Sequence, residues 1–132
     1  MISSDTFYKY LQKKYTRKIN LDRKRIIAAL EKLGSINLNL NNVCNIIGSD
    51  GKFTTGFNLL SFLKASKKKV TFFCSPHLIS VCERITLDNR LISLNEFKKY
   101  ERIVSKINQE LTLFEAITLI YLLAANDQKN TS

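Results

Sequence analysis

The spacing of apolar residues changes period along this chain, and that change restricts the fold more than any other feature of the sequence. Between Asp22 and Gly34 the apolar positions Ile26, Ile27, Leu30 and Leu33 fall at helical intervals, with Asp22 as a cap and Gly34 as a left-handed stop. From Val70 to Leu94 the pattern becomes short β-branched and aromatic runs, 70–74, 78–86 and 91–94, separated by turns at Ser75-Pro76 and Asp88-Asn89. Asn95 to Asn108 returns to helical spacing, with Phe97, Tyr100, Val104 and Ile107 inward and Lys98, Lys99, Glu101, Arg102 and Lys106 outward. The expected class is α+β, in two small lobes. Residues 1–66 form a basic lobe of helices packed on a small sheet, and residues 67–132 an antiparallel strand region with two C-terminal helices. A helical bundle is the structural rival, because Ile26, Leu30, Tyr100, Val104 and Ile117 also fit helical faces.

Other segments are read in the same way. Asp5 to Tyr15 predicts a helix burying Phe7 and Leu11 beside Tyr8 or Tyr10, and Thr16 to Leu21 a strand or extended link. Ser35 to Asn41 alternates Ile36, Leu38 and Leu40 with asparagines, the period of a half-buried strand. Ser49-Asp50-Gly51-Lys52 reads as a turn and Phe57 to Ala65 as a short apolar helix or loop. Thr112 and Glu115 form a capping box, with Leu111 and Ala116 placed to staple it. The helix expected to follow is β-branched from Ile117, so that stretch also fits a buried strand.

Charge is distributed unevenly. The net charge is +10, and residues 1–70 hold 14 Lys or Arg against 4 Asp or Glu, while the remainder balances seven against seven. Such a field attracts a polyanion, most commonly nucleic acid. The candidate contacts are Lys13, Lys14, Arg17, Lys18, Arg23, Lys24, Arg25, Lys67, Lys68 and Lys69, interleaved with Tyr8, Tyr10 and Tyr15 for stacking on unpaired bases. Arg23, Lys24 and Arg25 also sit in a first helical turn, where the dipole disfavours cations and a docked phosphate would compensate. Lysine outnumbers arginine 15 to 6, which suits a folded RNA backbone better than base reading in duplex DNA. The apolar stretch near Ile117 to Ala125 is too short for a bilayer of about 30 Å, and no cleavable leader pattern opens the chain, which disfavours membrane insertion and secretion. Three irregularly spaced cysteines fit reduced thiols inside a cell. Abundant Ile, Lys, Asn, Phe and Tyr imply an AT-rich gene, as in organelles, reduced bacteria, phages and some large viruses.

Enzyme signatures are sparse. His77 has no nucleophile at an activating spacing, and no pair of carboxylates is placed for acid–base work. Gly48 to Gly56 (GSDGKFTTG) contains Gly51-Lys52, but the first glycine stands only three residues earlier and Phe53 occupies the hydroxyl position, so it reads as a turn and not as a phosphate loop. Cys74, His77 and Cys82, with Cys44 as a fourth donor, are the one set suited to zinc, at loose spacing and within strand patterns where cysteine is a common core residue. The expectation is a non-enzymatic protein with no cofactor, metal or small-molecule substrate.

The order of segments resembles bacterial-type small-subunit ribosomal protein eight. Asp5-Thr6-Phe7 with Leu11 and Lys13-Lys14, Asp22 to Ile36, Val70 to Thr86, Arg90 to Ser93 followed by Glu96 to Val104, and Leu111-Thr112 with Glu115-Ala116 carry the resemblance. The family's Ser-Thr-Ser-Lys-Gly loop has no counterpart between Lys106 and Leu111, Leu87-Asp88-Asn89 replaces its Lys-Pro-Gly turn, and residues 42–66 look inserted. The resemblance implies ribosomal RNA and neighbouring ribosomal proteins as partners. It adds Arg84 and Arg90 to the RNA contacts and places the protein inside a cell, in a mitochondrion by preference. The rival functions are a winged-helix-like DNA-binding module of a phage, plasmid or virus, and a basic protein-interaction subunit.

Overall fold

The computed structural model describes residues 3–16, 18, 22–107 and 110–131, the side chains of 129–131 excepted. Its elements run α1 (Ser4–Lys14), α2 (Lys24–Lys32), α3 (Lys52–Ala65), β1 (Phe72–Phe73), β2 (Ile85–Leu87), β3 (Arg90–Leu91), α4 (Leu94–Val104) and α5 (Leu113–Thr131). The fold is α+β, as the changing periodicity predicts. The sheet is antiparallel in the order β1-β2-β3, with Phe72 opposite Thr86 and Leu87 opposite Arg90. Asp88 and Asn89 turn between β2 and β3 with φ of 46° and 68°, the left-handed pair that a two-residue hairpin requires.

The core gathers on α5. Its start is fixed by the expected capping box: Thr112 N donates to Glu115 Oε2 at 2.7 Å, and Glu115 N donates to Thr112 Oγ1 at 3.2 Å. Beyond the box Ala116, Ile117, Leu119, Ile120 and Ala124 are fully buried and meet Phe97 and Val104 of α4, Ile85 and Leu87 of β2, and Phe7 and Leu11 of α1. The stretch from Ile117 is therefore helix: α5 is covered on several sides, and packing overrides the modest β-branched penalty. Among the described residues no helix is long and apolar enough to cross a membrane.

Several sequence expectations are corrected. Ser35 to Asn41 is not a strand: Ser35 takes a left-handed φ of 53°, Ile36–Asn39 forms a 3-10 turn, Ile36 is buried and Leu38 is 77% exposed. Among the described residues no strand pairs with this segment to reward its alternation, so the short run tightens locally instead. In 78–86 only the end is strand, because Ser80 and Glu83 cap a second 3-10 turn, Val81–Arg84. Of Thr16 to Leu21, Thr16 forms an isolated parallel bridge with Thr112, and residues 17 and 19–21 lie outside the described residues. The helix expected to Asn108 ends at Val104, and Asn108 itself is outside the described residues. Glu101, read as outward, is 4% exposed. Its Oε1 accepts from Lys14 Nζ at 2.8 Å and from Tyr15 Oη at 3.0 Å, which supplies the partners a buried carboxylate needs.

Two predictions follow from this packing. Phe97→Ala, which empties a fully buried ring site edge-on to Phe7, should cost about 3–5 kcal/mol by urea unfolding. At the start of α4, Arg90 hydrogen-bonded to Glu96, with help from Ser93, holds the Glu96 carboxyl down at about 2. A depressed carboxylate stabilises the fold above its unfolded pKa and loses that contribution as pH falls towards the folded value. The wild type should therefore lose about 1 kcal/mol, after solvent screening, between pH 4.5 and 2 relative to Glu96→Gln, read from paired unfolding curves.

Candidate functional site

Residues 43–47 (VCNII) lead into Gly48-Ser49-Asp50-Gly51, and α3 begins directly at Lys52. Gly51, at φ 72°, makes the bend that aims the chain into the helix, and a side chain there would be strained. No side chain caps α3, so the amides of its first turn face outward at the positive end of the helix dipole. Lys52 folds back over the loop: its Nζ donates to Gly48 O and, at 2.8 Å, to Ser49 O. Thr54 and Thr55 follow in the same exposed turn. Amides, a helix N-terminus and an ammonium group thus converge on one small loop, an arrangement matched to phosphate oxygens.

The loop borders a cavity of about 540 Å³ between α3, residues 40–46, β1 and α5, lined by Lys52, Phe53, Gly56, Phe72, Ser75 and Tyr121 among others. Gly56 permits the close approach of α3 to β1, since a Cβ there would lie 2.8 Å from the Phe72 ring. From Ser75 the chain enters a turn held by Glu83, whose carboxylate accepts the backbone N–H groups of Leu78 at 2.8 Å, Ile79 at 3.1 Å and Ser80 at 2.7 Å. The bonds from Leu78 and Ser80 lead in holding the Glu83 carboxyl below its ordinary range. Arg84 Nε donates to His77 Nδ1 at 2.8 Å, and Tyr8 meets the His77 ring edge-on. Burial and then the Arg84 charge push the His77 imidazole down, towards the neutral form with its proton on Nε2. Cys74 Sγ is turned to Glu83 O, and among the described residues no group of three His, Cys, Asp or Glu side chains could hold a metal.

Of the basic residues singled out in the sequence, Lys14, Lys18 and Arg25 line one cavity of about 600 Å³ together with Tyr15, Thr16 and Thr112. Lys14 pairs with Glu101, Arg25 with Glu115, Lys69 with Asp88 and Arg90 with Glu96, while Arg84 is engaged with His77. Lys13, Lys18, Arg23, Lys24, Lys67 and Lys68 are exposed on separate elements, and Arg17 lies outside the described residues. The sequence reading weighed Lys52 beside Gly51 and took the segment as a turn. The signal that marks it is an apolar stretch, then Gly48-x-x-Gly51-Lys52, then a helical run carrying Thr54 and Thr55. The short glycine spacing and Phe53 after Lys52 set that pattern aside.

No protein-family model matches the sequence. The dihydrofolate synthetase of Saccharomyces cerevisiae is 31% identical over 104 residues, 76% of this chain and 24% of that protein. The dihydrofolate synthase/folylpolyglutamate synthase of Buchnera aphidicola is 38% identical over 115 residues, 84% of this chain and 27% of that protein. Among solved structures, E. coli FolC in complex with DHPP and ADP superposes with a TM-score of 0.84 at 25% identity, covering 94% of this chain and 30% of FolC. The chain thus spans about a quarter of the length of the curated relatives it matches.

These findings overturn the resemblance to ribosomal protein eight and what it implied. The relatives are synthases, so the non-enzymatic role, the ribosomal RNA and protein partners and the absence of a small-molecule substrate fall with it, and the DNA-binding and basic protein-interaction alternatives gain no support. The resemblance rested on short helix and strand segments that many α+β chains share. It set aside residues 42–66 as an insertion, and those residues carry the Gly48–Gly51 loop, Lys52 and α3. Substitution at Gly56 tests the close packing behind that loop. Gly56→Ala should be tolerated as the tip of the Phe72 ring swings into the cavity, whereas Gly56→Val should cost about 1–3 kcal/mol by urea unfolding through overpacking against the same ring.

Proposed function

We propose that this chain is the phosphate-binding portion of a FolC-type synthase, an ATP-driven ligase that joins L-glutamate to a pteroate- or folate-type acid. The observation that carries the reading is Lys52 folded over the Gly48–Gly51 loop at the uncapped start of α3. It is supported by the ADP in the FolC complex and by the dihydrofolate and folylpolyglutamate synthase names of the relatives. Joining a carboxylate to an amine requires the carboxylate oxygen to become a leaving group. Transfer of the γ-phosphoryl group of ATP to that oxygen breaks the bond to the β-phosphate and releases ADP. The amine nitrogen then forms the C–N bond, losing a proton as phosphate departs.

In such a reaction this chain's residues bind and orient. The loop amides and the α3 N-terminus hold phosphate oxygens, and Lys52 exchanges the carbonyls of Gly48 and Ser49 for them, placing a positive charge where negative charge accumulates. A related Yersinia pestis enzyme was solved with AMPPNP and Mn. The donors here that fit a divalent cation are hydroxyls, Thr54 and Thr55 beside the loop and Ser75 on the cavity wall, with nucleotide phosphates completing the set. Such an ion would shield the phosphate charge. Cys74 and Ser75, at the entry to the turn held by Glu83, contribute to the other wall of the cavity. The mitochondrial preference has one counterpart, a Cricetulus griseus folylpolyglutamate synthase named as mitochondrial, alongside a bacterial relative. The reading places the chain inside a cell and assigns no organelle.

Direct binding of ADP, followed by calorimetry, tests the site. The wild-type chain should bind, Lys52→Ala should weaken binding at least about tenfold by removing a charge-assisted contact, and circular dichroism should be unchanged. Equal affinity in Lys52→Ala, or no binding by the wild type at millimolar ADP, would remove the loop from the mechanism.

A further inference from the structure

The Gly48–Gly51 loop carries a carboxylate of its own. Between Lys32 and Lys64 the only charged side chains are Asp50 and Lys52, and among the described residues Lys52 is the one charged group lining the adjoining cavity. Asp50 is exposed and joins no ion pair among the described residues. Lys52, the nearest cation along the chain, is engaged with the Gly48 and Ser49 carbonyls instead. The formal charges of the loop therefore cancel, and an anion is favoured only by the amides and the uncapped start of α3. A helix start contributes about half an elementary positive charge, whereas a nucleoside diphosphate carries several negative ones.

We propose that Asp50 makes this site take its nucleotide together with a divalent cation, the carboxylate being a ligand that the cation shares with the phosphates. The inference rests on the synthase reading and deepens it, naming the residue that sets which form of the nucleotide is bound. A magnesium-type ion suits the donors present. It is held through oxygen, by one or two carboxylates plus substrate phosphates, and keeps several waters in its shell. Asp50 is the loop's one carboxylate, and Thr54 and Thr55 add hydroxyl oxygens in the first turn of α3. Without the ion, carboxylate and phosphates are like charges gathered at one short loop, and they repel. With the ion between them, the same carboxylate becomes an attraction. Asp50 thus opposes free ADP and favours its metal complex.

Calorimetric titration of the 132-residue chain with ADP, once in EDTA and once in excess magnesium chloride, tests the assignment. Magnesium should tighten wild-type binding at least about tenfold. Asp50→Asn removes the charge at nearly constant size, so it should bind ADP in EDTA at least about tenfold more tightly than the wild type and gain less than about threefold from magnesium. Asp50→Glu should keep the magnesium gain. Circular dichroism should be unchanged in both variants, because the side chain is exposed and Gly51 makes the bend. A full magnesium gain in Asp50→Asn would leave the ion to hydroxyls and phosphates and overturn the inference, as would a loss of affinity in that variant under both conditions. The wild-type comparison needs no substitution and separates the two readings. Equal affinity in EDTA and in magnesium overturns the role of Asp50 alone, whereas no ADP binding in either condition overturns the nucleotide site and the inference with it.

Discussion

Glu115 is the group on which the arrangement of helices depends. It is 7% exposed and unable to relax into water, so it must find partners inside the protein. One is the amide of Thr112, which fixes where α5 begins; the other is the Arg25 guanidinium, which reaches across from α2. Leu113 N donates to Thr16 O close by, attaching the segment that follows α1 to the same helix start. Glu101 repeats the device on α4, holding Lys14 and Tyr15 at the end of α1. Apolar burial on α5 supplies the larger stabilisation but has no direction. The two buried carboxylates choose which helix meets which, because leaving either unpaired would cost several kcal/mol.

The Gly48–Gly51 loop stands apart from this framework. Its helix touches the rest through Gly56 and the cavity wall, and no buried ion pair among the described residues reaches α3. Loop geometry is instead local: a left-handed Gly51 and the fold-back of Lys52 set it without help from the core. A loop built this way keeps its shape by local contacts alone.

What could be read from the sequence was what short-range physics decides. The Thr112–Glu115 box, the Gly34 stop and the Asp88-Asn89 turn were legible because each depends on residues within a few positions of one another. The segment 35–41 misled because alternation signals a strand only where a neighbouring strand exists, and here none does. Glu101 misled for the opposite reason: charged residues usually face water, and its partners Lys14 and Tyr15 lie more than eighty positions away. At the loop, the left-handed Gly51 was legible as a turn, whereas the fold-back of Lys52 onto the Gly48 and Ser49 carbonyls has no signature in residue spacing.

The charge asymmetry carries the same lesson in electrostatic form. Ten excess positive charges in the first half of the sequence suggested a lobe waiting for a polyanion. Linear segregation is not spatial segregation. Lys14, Arg25 and Lys69 from the first half meet Glu101, Glu115 and Asp88 from the second, so part of the imbalance is complementarity between the halves. Two of these pairs place a carboxylate no more than 10% exposed against a cation, where attraction is stronger than at the surface and orientation is fixed. Lys14, Lys18 and Arg25 gather at one cavity, and two of the three are already paired there with buried carboxylates. At Lys52, by contrast, one cation meets a turn of free amides. That cation sits beside backbone donors with no capping side chain, whereas Lys14 and Arg25 have already met their carboxylates.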